Sequence, residues 1–140
     1  MNVSSILKRH EKEEEPSVKR YEVALFLVQC YIRYCDEEKD AGKVKDYTNE
    51  VKAQGKKKIM LDIGRVLGIK ISENILPYSE IAKADKEMKL KKVDEALWIV
   101  RSDNKKFLDG SFSNSSYMKG YEETLAEVQA WVDFRKNRRE

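Results

Sequence analysis

Histidine is nearly missing from this chain. His10 is the one imidazole among 140 residues, and it sits in a charged run near the start. That scarcity excludes chemistry centred on imidazole and metal sites built from several histidines, including di-metal carboxylate centres that need a Glu-x-x-His pair on each of two helices. Cysteine is almost as rare. Cys30 and Cys35 lie five apart in an apolar run, so a helix turns them away from each other and no bridge closes between them. Pro16 and Pro77 are the only prolines, each near a plausible helix start, which is the punctuation of a helical protein. No apolar run approaches the ~20 residues that a membrane-spanning helix needs, and no apolar signal segment follows Met1. A cytoplasmic, reduced chain with no membrane contact is expected.

What is present is charge in quantity and apolar residues at helical spacing. Hydrophobic residues make up 41% and charged residues 38%, a polar composition that still supplies enough Ile, Leu, Val, Tyr and Phe for one core without disulfides or metal. Over 18–41, with Ser17 as N-cap and Gly42 as the stop, Val18, Tyr21, Leu25, Val28, Ile32 and Cys35 recur at steps of three and four. Val23, Phe26, Leu27, Cys30, Tyr31 and Tyr34 fill the other sides, which places this helix at the bundle's centre or in a subunit interface.

A weaker stripe begins at Tyr47 and Val51, is interrupted around Gly55 by "KAQGKKK", and resumes from Ile59 to end at Gly68. Ile81, Ala84 and Met88 mark a helix beyond Pro77, and Leu90, Val93, Leu97 and Val100 a cleaner one. Ser115 or Ser116 caps a last helix with Tyr117, Tyr121, Leu125, Val128 and Val132 facing inward. The expected fold is all-α: one domain over 1–140, a mostly antiparallel bundle of four or five helices, with 1–16 as a peripheral polar arm.

The "VLGIK" stretch opens like a helix-turn-helix, since Gly64, Gly68 and Ile69 stand where its small, turn and apolar residues belong. The apolar anchor Ile75 then falls one place late, and Pro77 stands inside the would-be recognition helix at ~3 kcal/mol. A corner between packed segments is the better reading. A phosphate-binding loop fares no better at Lys56, Lys57 and Lys58, because Glu50 stands where its earlier glycine belongs and no Ser or Thr follows the lysines.

Charge is unevenly placed. Residues 43–71 carry eight basic and three acidic side chains, and this excess accounts for the chain's formal +3. The lysines from Lys83 to Lys92 alternate with acids and read as an exposed helix face. The expected function is therefore a non-enzymatic binding or adaptor module without cofactor or metal. It engages an acidic partner, nucleic acid or acidic protein, through Lys43, Lys45, Lys52, Lys56, Lys57, Lys58 and Arg65, together with Arg135, Lys136, Arg138 and Arg139. Phe26, Tyr31 and Tyr34 are candidate interface residues for a partner helix or for a homo-oligomer.

Two rivals belong to other classes. A helix-turn-helix regulator needs a protruding helix after Gly68. A magnesium-dependent all-α nucleotide hydrolase needs inward carboxylates from two helices, drawn from Glu123 and Glu127, Asp94 and Glu95, or the cluster Asp36, Glu37, Glu38 and Asp40. The Glu-x-x-Glu spacing of such enzymes occurs only at Glu11 and Glu14.

Overall fold

A computed structural model describes residues 16–73, 86–105 and 115–137. Their order is β1 (Ser17–Lys19), α1 (Arg20–Lys43), α2 (Tyr47–Leu67), β2 (Glu87–Lys89), α3 (Leu90–Asp103) and α4 (Ser116–Asn137). The fold is mostly helical, and one contiguous apolar cluster joins all four of these helices.

The mostly helical fold is broadly the all-α one expected, with a short two-stranded sheet added to it. β1 and β2 pair antiparallel with Val18 opposite Met88, so Ser17 lies in a strand instead of capping a helix, and Met88 lies in a strand where a helix was expected. The ribbon does local work. A helix leaves its first N–H groups without intrahelical partners, and here the Arg20 N–H that opens α1 donates to the Lys86 carbonyl at 2.7 Å. Symmetrically, the Leu90 N–H that opens α3 donates to the Pro16 carbonyl at 3.0 Å. Each helix is thus capped by the strand that precedes the other, a device set by a pairing some seventy residues apart and hidden from local pattern.

α2 is the hub, because it packs against all three other helices and most extensively against α1 and α4. The "KAQGKKK" interruption does not break it; α2 runs unbroken through Gly55. A Cβ on Gly55 would overlap the Tyr117 carbonyl, and one on Gly120 would overlap the Lys52 carbonyl, so the two glycines let α2 and α4 cross backbone to backbone. Large apolar side chains made α1 look central, but small residues gave α2 the greater contact. α1 nevertheless buries Val23, Leu27, Val28 and Tyr34 completely.

The corner at Gly68 closes α2. Gly68 has φ +71°, its N–H donates to Arg65 O, and the Ile69 N–H reaches back to Gly64 O at 2.8 Å, the two bonds of a Schellman ending. Ile69 and Ile71 then fold over Gly64, where a Cβ would collide with both residues. The stretch that a recognition helix would occupy, with Asn74, Ile75, Pro77 and Lys83, lies outside the described residues, as do Ile81 and Ala84. At the last helix, Ser115 Oγ accepts from the Met118 N–H at 3.1 Å, and Tyr121, Leu125, Val128 and Val132 are buried as the spacing predicts. Among the described residues no helix is long and apolar enough to cross a membrane.

Candidate cationic docking site

The lysine row of α2 turns inward to the bundle's own acids. Lys52 meets Glu123 at 2.8 Å, Lys56 lies 3.2 Å from Glu37 and 3.7 Å from Glu123, and Lys57 meets Glu38 at 2.9 Å. Lys58 and Arg65 both bond Asp62, at 2.6 and 2.8 Å. Asp62 is a buried carboxylate that the sequence pattern did not single out; two cations on its own helix, three and four residues away, make its burial affordable. The hydrogen bond from Lys57 holds the Glu38 carboxyl below the usual glutamate range despite partial burial, and the same bond raises the Lys57 ammonium.

At the far end of α4, Arg135 pairs with Glu22 at 3.4 Å and lies over the Trp131 ring, and Lys136 bonds Asp94. Arg138 and Arg139 fall outside the described residues. Of the basic residues singled out from sequence, Lys43 and Lys45 alone stand exposed at the α1–α2 turn with no ion pair among the described residues. They are beside Val44, 74% exposed, and Tyr47, 65% exposed.

The expected interface residues are largely consumed inside the chain. Tyr34 is completely buried and therefore cannot line an interface; its hydroxyl donates to Glu127 Oε1 at 2.5 Å. Phe26 stacks on Trp131, with centroids 4.6 Å apart, and Tyr31 lies under the Lys57 ammonium at 5.7 Å. Glu127 also takes hydrogen bonds from Arg33 and, at 4.0 Å, from the Cys30 thiol, so this one carboxylate ties α4 to α1 three times. Burial pushes the Tyr34 phenol well above its usual range, and the bond to Glu127 adds to the effect. Burial likewise raises the Cys30 thiol to about 11, with the nearby Glu127 charge assisting, so the thiol stays protonated and unreactive at neutral pH.

The carboxylates considered for magnesium are spread and answered. Glu37, Glu38, Glu123, Glu127 and Asp94 each hold a basic, phenolic or amide partner, and Asp36 and Asp40 face outward. Among the described residues no three His, Cys, Asp or Glu side chains are grouped to hold a metal ion. Glu11 and Glu14 fall outside those residues.

A second group of cations lines a cleft of about 860 Å³ where β2 enters α3 and the end of α2 passes by. Five cations line it, Arg20, Lys86, Lys89, Lys91 and Lys92, against the two acids Glu87 and Glu95. Glu87 is already engaged, by the Ser17 hydroxyl at 3.3 Å and by Lys19 at 3.9 Å. Arg20 forms a fixed wall: its guanidinium donates to Gly68 O at 2.7 Å and to Leu67 O at 3.3 Å, capping the negative end of α2.

The first turn of α3 holds no acidic residue, so Lys89, Lys91 and Lys92 add their charge to the positive end of that helix dipole. This arrangement disfavours the helix by a few tenths of a kcal/mol per charge and favours an anion in front of it. Between the cations the surface is apolar, with Val66 and Ile99 each 37% exposed and Met88 beneath. The alternation of Lys86, Lys89, Lys91 and Lys92 with acids suggested a neutralised helix face. The strand at Glu87–Lys89 breaks the helical spacing and leaves the cations together, a pairing that local sequence could not reveal.

Compared with known proteins, the chain matches no family model, and no curated protein or solved structure resembles it.

Proposed function

We propose that the chain is a non-enzymatic binding module, a mostly antiparallel helical bundle that docks an acidic protein segment in the cleft between β2, α3 and the end of α2. The carrying observation is the contrast between the two lysine groups. Those of α2 are spent on internal ion pairs, whereas Lys86 and Lys92 join Arg20 along the cleft at the positive end of α3, around exposed Val66 and Ile99.

Apolar surface between the cations favours a peptide that carries carboxylates and aliphatic side chains over a bare phosphate backbone, because desolvating Val66 and Ile99 adds a term that a phosphate cannot supply. The non-enzymatic reading draws support from protonated, buried cysteines and from inward carboxylates already bound to cations or phenol.

Fluorescence anisotropy tests the reading with labelled polyglutamate and a labelled single-stranded oligonucleotide at low and physiological salt. Lys86→Glu with Lys92→Glu is expected to weaken polyglutamate binding by about tenfold or more, while Lys43→Glu with Lys45→Glu leaves it unchanged. Preference for the oligonucleotide would reassign the partner to nucleic acid. Loss of binding in the second variant and not the first would move the site to the α1–α2 turn.

A further inference from the structure

Trp98 stands 69% exposed along α3, a large aromatic that the bundle's core does not use. Beside it runs a groove of about 470 Å³ between α3 and α4. Buried Leu97 and Leu125 form its floor, and Ala126, small and exposed, keeps the α4 wall low. The groove shares no lining residue with the cationic cleft, which draws instead on Lys92, Glu95, Ala96 and Ile99 of the same helix. Opposite charges mark the groove's two ends. Asp94 lies four residues before Trp98 and Arg101 three after it, a spacing of about two helical turns that keeps both on one side of α3. The Gln129 amide donates to Asp94 at 2.9 Å and to Asp133 at 3.1 Å, so two acids gather at the first end. Lys136 answers Asp94, while Asp133 has no cationic partner among the described residues. At the second end Arg101 is exposed and makes no ion pair among the described residues.

We infer that this groove takes Trp98 of a second copy of the chain, in a symmetric dimer that packs α3 antiparallel to its counterpart. A two-fold interface needs a surface complementary to itself. A protruding indole beside an apolar recess is such a surface, because an axis next to Trp98 lays each indole over the other copy's Leu97, Leu125 and Ala126. The same axis reverses the helix direction, so Arg101 of each copy comes beside Asp94 and Asp133 of the other. A parallel pairing would instead set Arg101 against Arg101 and acid against acid. Aromatic anchors seated in a recess carry most of the energy of such contacts. One anchor and one groove per copy make a small interface of the weak, reversible class, so a dissociation constant of about 10–100 µM is expected. The cationic cleft is left open in the dimer, since its lining is separate.

Sedimentation equilibrium of the full chain, over concentrations that bracket this constant, is the test, and the parent is expected to pass from monomer to dimer. Trp98→Ala and Ala126→Lys both exchange good helix formers or exposed side chains on the surface, and each is expected to weaken dimerisation by about tenfold or more. Arg101→Glu and Asp94→Lys each set like charges face to face and should weaken it by about fivefold or more. An equimolar mixture of these two variants is expected to restore dimers, since every acid then meets a cation. A parent that stays monomeric at the highest concentration overturns the inference and leaves the groove to a different partner. A dimer indifferent to both Trp98→Ala and Ala126→Lys overturns it by placing the interface elsewhere, and a mixture no stronger than its components overturns the antiparallel pairing. Lys86→Glu with Lys92→Glu is expected to leave dimerisation within about twofold of parent, and Trp98→Ala to leave polyglutamate binding equally unchanged, so the dimer and the docking reading can fail separately.

Discussion

Glu127 is where single residues matter most to the bundle. Its carboxylate accepts from a completely buried phenol on α1 and from Arg33, so removing it takes away the carboxylate acceptor of the Tyr34 hydroxyl. Glu127→Ala is expected to cost about 2 kcal/mol in urea unfolding, and Tyr34→Phe, which leaves a carboxylate still served by Arg33, about 1 kcal/mol. Equal costs would mean that the phenol is not the group being satisfied. The acid's presence on one face with Glu123 was legible from spacing. Its partners were not, because a pairing between positions 34 and 127 leaves no local trace. The same limit hid the compensation of the α2 lysines: the run of positive charge was plain, but the acids that neutralise it come from α1 and α4. Both cysteines were readable as core residues from their place in an apolar run. Cys30 and Cys35 are expected to resist a thiol reagent in the native chain and to react fully in urea, and rapid native labelling of Cys30 would contradict its burial.

At the scale of elements, stripes of apolar residues located the four described helices, while their ends and crossings depended on contacts between distant segments. The ribbon of β1 and β2 is three residues on each side, too short for alternation to betray, and Ser17 carried a local capping signal that the pairing overrode. The glycines separate local propensity from packing. Gly55→Ala and Gly120→Ala each improve helix propensity by about 1 kcal/mol. Each also drives a Cβ into a neighbouring helix backbone, so a net loss of about 2 kcal/mol is expected from denaturant midpoints. Gly42→Ala should change sign: it sits exposed in α1, its nearest neighbour is the mobile end of Glu50, and a gain of up to about 0.5 kcal/mol is expected. Destabilisation at all three positions alike would refute the close crossing of α2 and α4.

For the whole molecule, stability should fall away at both extremes of pH for separate reasons. Lys57 holds Glu38 below its ordinary range, so that contribution is complete above the usual glutamate pKa and is lost as pH falls through the lowered folded value. Lys57→Met should therefore lower the melting temperature at neutral pH, with parent and variant converging in acid. On the alkaline side, the unfolded chain releases the Cys30 proton near 9 while the folded chain keeps it to about 11, so stability declines across that interval. Cys30→Val should flatten the decline.

Binding belongs to this scale too, because the cleft is assembled from the end of α2, the strand pairing and the start of α3, elements that meet only in the folded chain. The charge excess was legible in the sequence; where cations gather on the folded chain was not, since the densest lysine run is spent on internal ion pairs. Chemical-shift mapping of the full chain during titration with polyglutamate tests the docking account most directly. The account predicts perturbations confined to the cleft, centred on Arg20, Lys86, Lys92 and Ile99, and removed by salt. Perturbations centred on Lys43, Lys45 and the exposed face of α2, or none at low salt, would contradict it.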